Sequence, residues 1–408
     1  MQPGYRCFAG IDVHKKMLAV VVRKQNGEWI QRSFGTTRRE IEHLSAWLSQ
    51  HEVQEAVMES TAQYWRPVWY GLEMHFRLHL SHPLQTRAPR GRKRDFRDAR
   101  RLVDRLWSGD LEESFVPRSE QRAWRWLTRT RVELKRRMGQ IRAQVEGLLE
   151  ESGVKLAATV SDVFGASGWA MLERLAAGET DAAVLADQAR GSLRHKKEAL
   201  QEALEGHCNA TTRLLLGQCL EQVRLLQQHI AEIGRELSRN MRDHASTLQR
   251  LSQVPGVELA AAQELLAEIG PGASAFASAA QFASWVGVCP GQQESAGVSY
   301  STRSPNGNRY LRRLLCQIAW AAARTRGCFF ASLFARLSPK LGAKAAAWAV
   351  AHRLARLVWV LLHRGVEYVE RGPTQADPRR LRRKFRRLLT ELSRAGIDPK
   401  TLLASGTV

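Results

Sequence analysis

Acidic residues are scarce in this chain, cysteines are few and scattered, and no apolar run continues unbroken across a bilayer's width. Cys7, Cys208, Cys219, Cys289, Cys316 and Cys328 never fall at C-x-x-C spacing, and no histidine pair completes a set with Cys208 and Cys219. That pattern indicates neither a zinc site nor a disulfide framework, and suits reduced thiols in a cytoplasm. The N-terminus lacks the long apolar core of a signal peptide. The most hydrophobic stretch, 343–362, is interrupted by Lys344, His352, Arg353 and Arg356. It reads as a buried or amphipathic helix rather than a membrane span. Only 40 Asp and Glu stand against 62 Lys and Arg, leaving a net charge of +22. A field of that sign favours phosphate polyanions.

The 408 residues suffice for two or three domains, each with its own core. Four of the few acids have telling positions. Asp12 ends the apolar run CFAGID, Glu59 ends VQEAVME, and Asp95 and Asp98 lie three apart inside the arginine-rich GRKRDFRDA. Lone carboxylates at strand ends and within a phosphate-attracting stretch suit divalent metal ions held against nucleic acid. Around them, residues 5–24 read as two tightly joined strands. Asn26-Gly27 is a hairpin turn, and Trp29 to Phe34 forms a third strand. Thr37 then caps a helix with apolar positions Ile41, Leu44, Trp47 and Leu48. A fourth strand (53–59), a helix (64–75) and a fifth strand (76–81) follow. This order resembles a ribonuclease-H-like domain, in which the first and fourth strands lie parallel and adjacent. Asp12 and Glu59 would then come together, with Asp95 and Asp98 on one face of the next helix.

From residue 118 the pattern changes. Leu127, Leu134, Met138, Ile141, Val145 and Leu148 predict a long helix with one apolar seam over 118–151. Leu216, Leu220, Val223, Leu226, Ile230, Ile233 and Leu237 repeat the seam over 214–237. An antiparallel coiled coil that also dimerises the chain is one reading, and packing within one chain explains the seams equally well. VPGVELAAAQELLAEIG then has the cadence of a helix-hairpin-helix, a turn able to offer backbone N–H groups to phosphate. After it come FASWVGVCPGQQESAG, a polar loop VSYSTRSPNG, and a helix bearing Arg309, Arg312 and Arg313. Between Arg379 and Arg387 only Leu381 and Phe385 interrupt the Arg and Lys residues. Arg382, Arg383, Arg386 and Arg387 could clamp phosphate there, as Arg92, Lys93 and Arg94 could near the acids.

Together GIDVHKK, the Glu after VM, GRKRDFRDA, SDVFGASGWAML, VPGVELAAAQELLAEIG and FASWVGVCPGQQESAG…NGNRYLRR resemble the DEDD-type insertion-sequence transposases, recombinases guided by a bridge RNA. The resemblance covers about 5–365. It implies an α/β RuvC-like domain (1–112), an all-α coiled-coil and oligomerisation region (113–245) and a helical serine transposase domain (246–370), leaving a basic tail (371–408). By motif position it places the metal-binding quartet on Asp12, Glu59, Asp95 and Asp98 and a nucleophilic serine on Ser295, with Ala296 beside it. Arg94 departs from the family, where a small Thr is common, and its longer side chain could pair with phosphate or crowd the metal. The resemblance further implies Mg²⁺ or Mn²⁺, donor and target DNA, a guide RNA, a dimer or tetramer, and a bacterial, nucleoid-associated setting without membrane. By sequence alone Ser295 has no neighbouring histidine and shares its loop with Ser299, Ser301 and Ser304. A metal-dependent Holliday-junction resolvase using only the acids is the alternative enzyme, and a non-catalytic nucleic-acid scaffold is the alternative from another class.

Overall fold

The computed structural model describes residues 6–59, 62–81, 95–291, 293–295, 298–301, 304–370, 372, 386–387 and 389–391. Contacts divide the chain into two units, Met1–Arg118 and Ser119–Val408. Arg92, Lys93, Arg94, Ala296, Arg382 and Arg383 lie outside the described residues.

In the first unit, β1 (Cys7–Val13), β2 (Met17–Lys24) and β3 (Trp29–Gly35) form an antiparallel meander. Asn26-Gly27 makes the second turn: Gly27 takes φ +85°, and Asn26 Oδ1 accepts from the Glu28 N–H at 2.9 Å. Helix α1 (Arg38–Gln50) starts at Thr37, whose side chain accepts from the Glu40 N–H. Strand β4 (Glu55–Glu59), helix α2 (Trp65–Leu72), strand β5 (Arg77–Ser81) and helix α3 (Asp95–Ser108) complete it. The sheet order is β3-β2-β1-β4-β5, with β1, β4 and β5 mutually parallel as neighbours. This arrangement is consistent with a ribonuclease-H-like domain.

Strand alternation sends β1 side chains to two faces. Cys7, Ala9, Ile11 and Val13 join the core with Leu44 and Leu48 of α1 and Val68 and Leu72 of α2. Phe8, Gly10 and Asp12 share the opposite face, which α3 covers. Phe8 meets Trp107 edge-on at 5.4 Å between ring centroids, and Ala99, Leu102 and Val103 are buried there. Arg23 stacks over Trp107 at 4.4 Å and pairs with Asp104 at 2.9 Å, fastening the far end of α3.

Among the described residues the second unit is helical except for one hairpin. Helix α4 (Ser119–Glu151) leads through α5 (Leu156–Thr159), α6 (Ala166–Ala176), α7 (Ala182–Ala186) and α8 (Lys197–Leu204) to α9 (Ala210–Asn240). Helices α4 and α9 run in opposite directions. The end of α4 and start of α9 share one core through Val145, Leu149, Leu216 and Leu220, together with α6 to α8. The start of α4 and end of α9 share the other core through Trp124 and Leu237. Between the two cores Leu134, Met138, Leu226 and Ile230 are only half-buried.

That other core also holds α10 (Ala245–Ser252), α11 (Leu259–Ile269), α12 (Ala279–Val286), α13 (Arg309–Arg324), α14 (Phe329–Leu341) and α15 (Ala343–Arg364). Gly256, in the Pro-Gly turn between α10 and α11, takes φ +82°, and a Cβ there would lie 2.9 Å from the Ile318 carbonyl oxygen. The turn is therefore packed against α13. Among the described residues α15 alone is long and apolar enough to cross a membrane, yet Val350, Ala351, Leu354, Ala355 and Val358 lie in this core. Where a polar loop was expected, β6 (Gln293–Ser295) and β7 (Val298–Ser301) pair antiparallel. Val298 and Tyr300 at alternate positions favour a strand over a loop.

Candidate active site

Asp12, His14 and Asp95 come together at the C-terminal end of β1. Their ligand atoms all lie within 4.8 Å of one another. His14 Nε2 is 3.1 Å from Asp12 Oδ2 and 3.3 Å from Asp95 Oδ1. Asp12 is the most enclosed of the three, at 16% side-chain exposure against 47% for His14 and 42% for Asp95. The structure thus brings two expected acids together and adds a histidine that the sequence does not single out. His14 stands in view within GIDVHKK. Its backbone N–H donates to the Met17 carbonyl at 3.0 Å, closing the β1–β2 turn and holding the imidazole beside Asp12.

The other two acids take different positions. Gly10 pairs with Val57 and Ile11 with Met58, so Asp12 and Glu59 stand one step further along adjacent parallel strands. Asp98 lies one turn along α3 from Asp95 and forms an ion pair with Arg101. Asp95 itself begins α3, where partial positive charge at the helix start favours a carboxylate.

A glycine makes the assembly possible. A Cβ on Gly10 would fall 2.2 Å from the Ala99 carbonyl oxygen and 2.7 Å from Val103 Cγ2. Only a bare backbone lets α3 lie this close to β1, and the first turn of α3 is then carried to Asp12.

Burial raises the proton affinity of Asp12, and His14 opposes that shift, while the charges of Asp95 and Glu59 add to it. The net effect holds Asp12 above the usual carboxylate range. These groups fit a divalent cation: hard carboxylate oxygens and one imidazole converge where mutual repulsion calls for positive charge.

In the second unit Ser295 ends β6, paired in register with Val298. The following segment is anchored from beneath. Asn308 caps α13, accepting from the Tyr310 and Leu311 N–H groups, and its Nδ2 donates to Glu268 Oε2 at 2.8 Å. Glu268 is 2% exposed and receives both Nε and Nη2 of Arg129, at 2.7 and 2.9 Å. Burial alone would raise its proton affinity, but Arg129, Arg125 and Asn308 overcome this and keep it ionised. The three arginines at the start of α13 differ in setting. Arg312 donates to the Gly287 carbonyl at 2.8 Å and lies over Trp348, and Arg313 donates to Glu264 at 2.5 Å. Arg309 is exposed, with its Nη2 donating to the Tyr310 hydroxyl. Arg386 and Arg387 are exposed, and Arg387 pairs with Glu391.

Two family models match the chain. One, described as a DEDD transposase of the IS110 type, matches residues 9–153, and the other, described as the transposase IS116/IS110/IS902 family, matches residues 248–332. The chain is similar to a probable family 20 transposase of Pseudomonas aeruginosa, 29% identical over 303 residues, spanning 71% of this chain and 80% of the relative. It is also similar to the transposase for insertion sequence element IS1328 of Yersinia enterocolitica. That match is 31% identical over 147 residues, 35% of this chain and 43% of the relative.

Proposed function

Because the chain belongs to the IS110 family of DEDD insertion-sequence transposases, we propose that it recombines DNA through a covalent link between Ser295 and a DNA phosphate. The observation that carries the chemistry is the convergence of Asp12, His14 and Asp95 within 4.8 Å, with the charge of Glu59 acting on the same carboxylate. In this reading Asp12, Glu59, Asp95 and Asp98 form the metal-binding set, and Asp98 exchanges Arg101 for its share of that role. A divalent ion such as Mg²⁺ or Mn²⁺, when bound, would neutralise charge on the scissile phosphate.

The serine step is a displacement at phosphorus. The Ser295 hydroxyl oxygen bonds to the phosphorus, and the bond from phosphorus to one strand oxygen breaks. The serine proton passes to a carboxylate or to water, and the displaced strand oxygen leaves protonated. Attack by the hydroxyl of another strand reverses the step, frees the serine and restores a phosphodiester. Arg309, exposed at the first position of α13, suits meeting phosphate. The half-buried seam of Leu134, Met138, Leu226 and Ile230 suits a second copy, in keeping with a dimer or tetramer whose sites are composite. Site choice would fall to a guide RNA pairing with donor and target DNA, while the basic protein holds backbones.

Incubating the protein with a DNA substrate, its cognate small RNA and Mg²⁺ tests this reading. We expect a protein–DNA adduct that survives denaturation and maps by mass spectrometry to Ser295, and no adduct from Ser295→Ala. Linkage to Ser299, Ser301 or Ser304 would move the nucleophile. Cleavage by the wild type with no adduct would favour a resolvase that uses the acids alone.

A further inference from the structure

An open cleft of about 480 Å³ lies between the end of α12 and the start of α13. Trp285 and Tyr310 supply its aromatic surfaces, and Arg129, Arg309, Ser284 and Asn306 supply polar groups. Its volume falls within the range of small-ligand sites, roughly 300–1,000 Å³.

Trp285 is 40% exposed, whereas its ring neighbours Phe276 and Phe282 are 7% and 0% exposed. Phe276 meets the indole at 4.9 Å and Phe282 lies near-parallel to it at 6.3 Å. The indole is thus held by the core and still keeps a large open surface. Tyr310 has Arg129 at 4.5 Å from its ring and Arg309 at 4.8 Å. The two guanidiniums differ in use. Arg129 is neutralised by its paired bonds to buried Glu268, while Arg309 is exposed and donates to its neighbour Tyr310. The Glu268–Asn308 bond holds the cap of α13, two residues before Tyr310, in place before any ligand arrives.

A firmly held aromatic face, an exposed guanidinium and amide and hydroxyl groups match the parts of a nucleotide. The indole can stack on any base, and the guanidinium can pair with the adjoining phosphate. We infer that this cleft receives one unpaired nucleotide of the nucleic acid handled by the transposase, with its base on Trp285 and its phosphate at Arg309. The inference rests on the reading as a transposase, because only then are unpaired strands at hand. A displaced DNA strand and an RNA loop both present this chemistry.

Binding of the full-length protein to three short oligomers of equal length tests it: oligothymidylate, oligouridylate, and an abasic deoxyribose-phosphate chain. Fluorescence anisotropy gives each affinity. The wild type should prefer a base-bearing strand over the abasic chain by about tenfold, the typical effect of one stacked base. Trp285→Leu should remove that preference while leaving affinity for the abasic chain unchanged, and Trp285→Phe should restore most of it. Arg309→Ala should weaken binding to all three and reduce the salt slope by about one, the share of a single phosphate. Preference for thymidylate or uridylate identifies the DNA strand or the RNA as the occupant. Equal binding of base-bearing and abasic strands, or a preference that survives Trp285→Leu, overturns the proposal. Should Trp285→Leu fail to fold, an unchanged salt slope in Arg309→Ala overturns it instead. A protein that recombines DNA without base preference keeps the transposase reading and loses the cleft. One with no affinity for any nucleic acid loses both.

Discussion

Asp12 sits where the fold resists charge. Burial raises its proton affinity, and Asp95 and Glu59 add repulsion that His14 only partly offsets. A carboxyl raised in the folded state binds protons there more readily than in the unfolded chain. Its contribution to stability is therefore fully present below the ordinary carboxylate pKa and is lost as pH rises through the raised folded value. At neutral pH the metal-free chain should be less stable for carrying Asp12. Asp12→Asn should accordingly raise the melting temperature without metal by about 1–2 °C at pH 7. That gain should vanish in acid, and the variant should lose both stabilisation by Mn²⁺ and strand exchange. Melting curves with and without Mn²⁺ at two pH values check this, and equal Mn²⁺ stabilisation of both proteins would remove Asp12 from the site. Asp12 stands out in the sequence because a carboxylate at the end of an apolar strand is conspicuous, and Asp95 because it interrupts an arginine-rich run. His14 is not, because its place beside Asp95 depends on a helix that begins far along the chain.

Among the elements, α3 decides whether Asp95 reaches Asp12 and His14. It rests on β1 through the missing side chain of Gly10. Gly10→Val places methyl groups where the Ala99 carbonyl oxygen and Val103 already sit. The overpacking should cost about 1–3 kcal/mol and tilt or lift α3. Recombination should then fall far more than stability, since a small displacement of Asp95 spoils ligand geometry. Recombination and melting temperature measured on one preparation test this, and normal recombination in a destabilised protein would show that α3 need not lie so close. Period-two strands, the Asn-Gly turn and the 3.6-residue seams of α4 and α9 can be read directly, because burial stamps its period on the residue pattern. Packing between remote segments leaves no such stamp. Gly10 reads as an ordinary strand glycine, and Arg129 and Glu268 read as solvated charges on separate helices, although they pair at the base of the α13 loop. The β6–β7 hairpin is hidden for another reason: its strands are only three and four residues long.

At the scale of the whole molecule, a charge of +22 suits holding phosphate backbones without choosing among sequences. Replacing Arg382, Arg383, Arg386 and Arg387 with Ala should weaken DNA and RNA binding alike. The dependence of log affinity on log salt should flatten by roughly one for each phosphate that is no longer neutralised. An unchanged slope, read from binding isotherms across a salt series, would make the tail a solvated helix face. The split of the acids between β1 and α3 also bears on the order of synthesis. A ribosome delivers Asp12, His14 and Glu59 first, and the sheet that carries them ends at Ser81. Asp95 follows later, and the glycine contact that seats it needs Ala99 and Val103 as well. A nascent or prematurely released chain that stops short of α3 therefore holds only part of the proposed ligand set. If the four acids hold the metal, strand cleavage has to wait until the first unit has been made through α3.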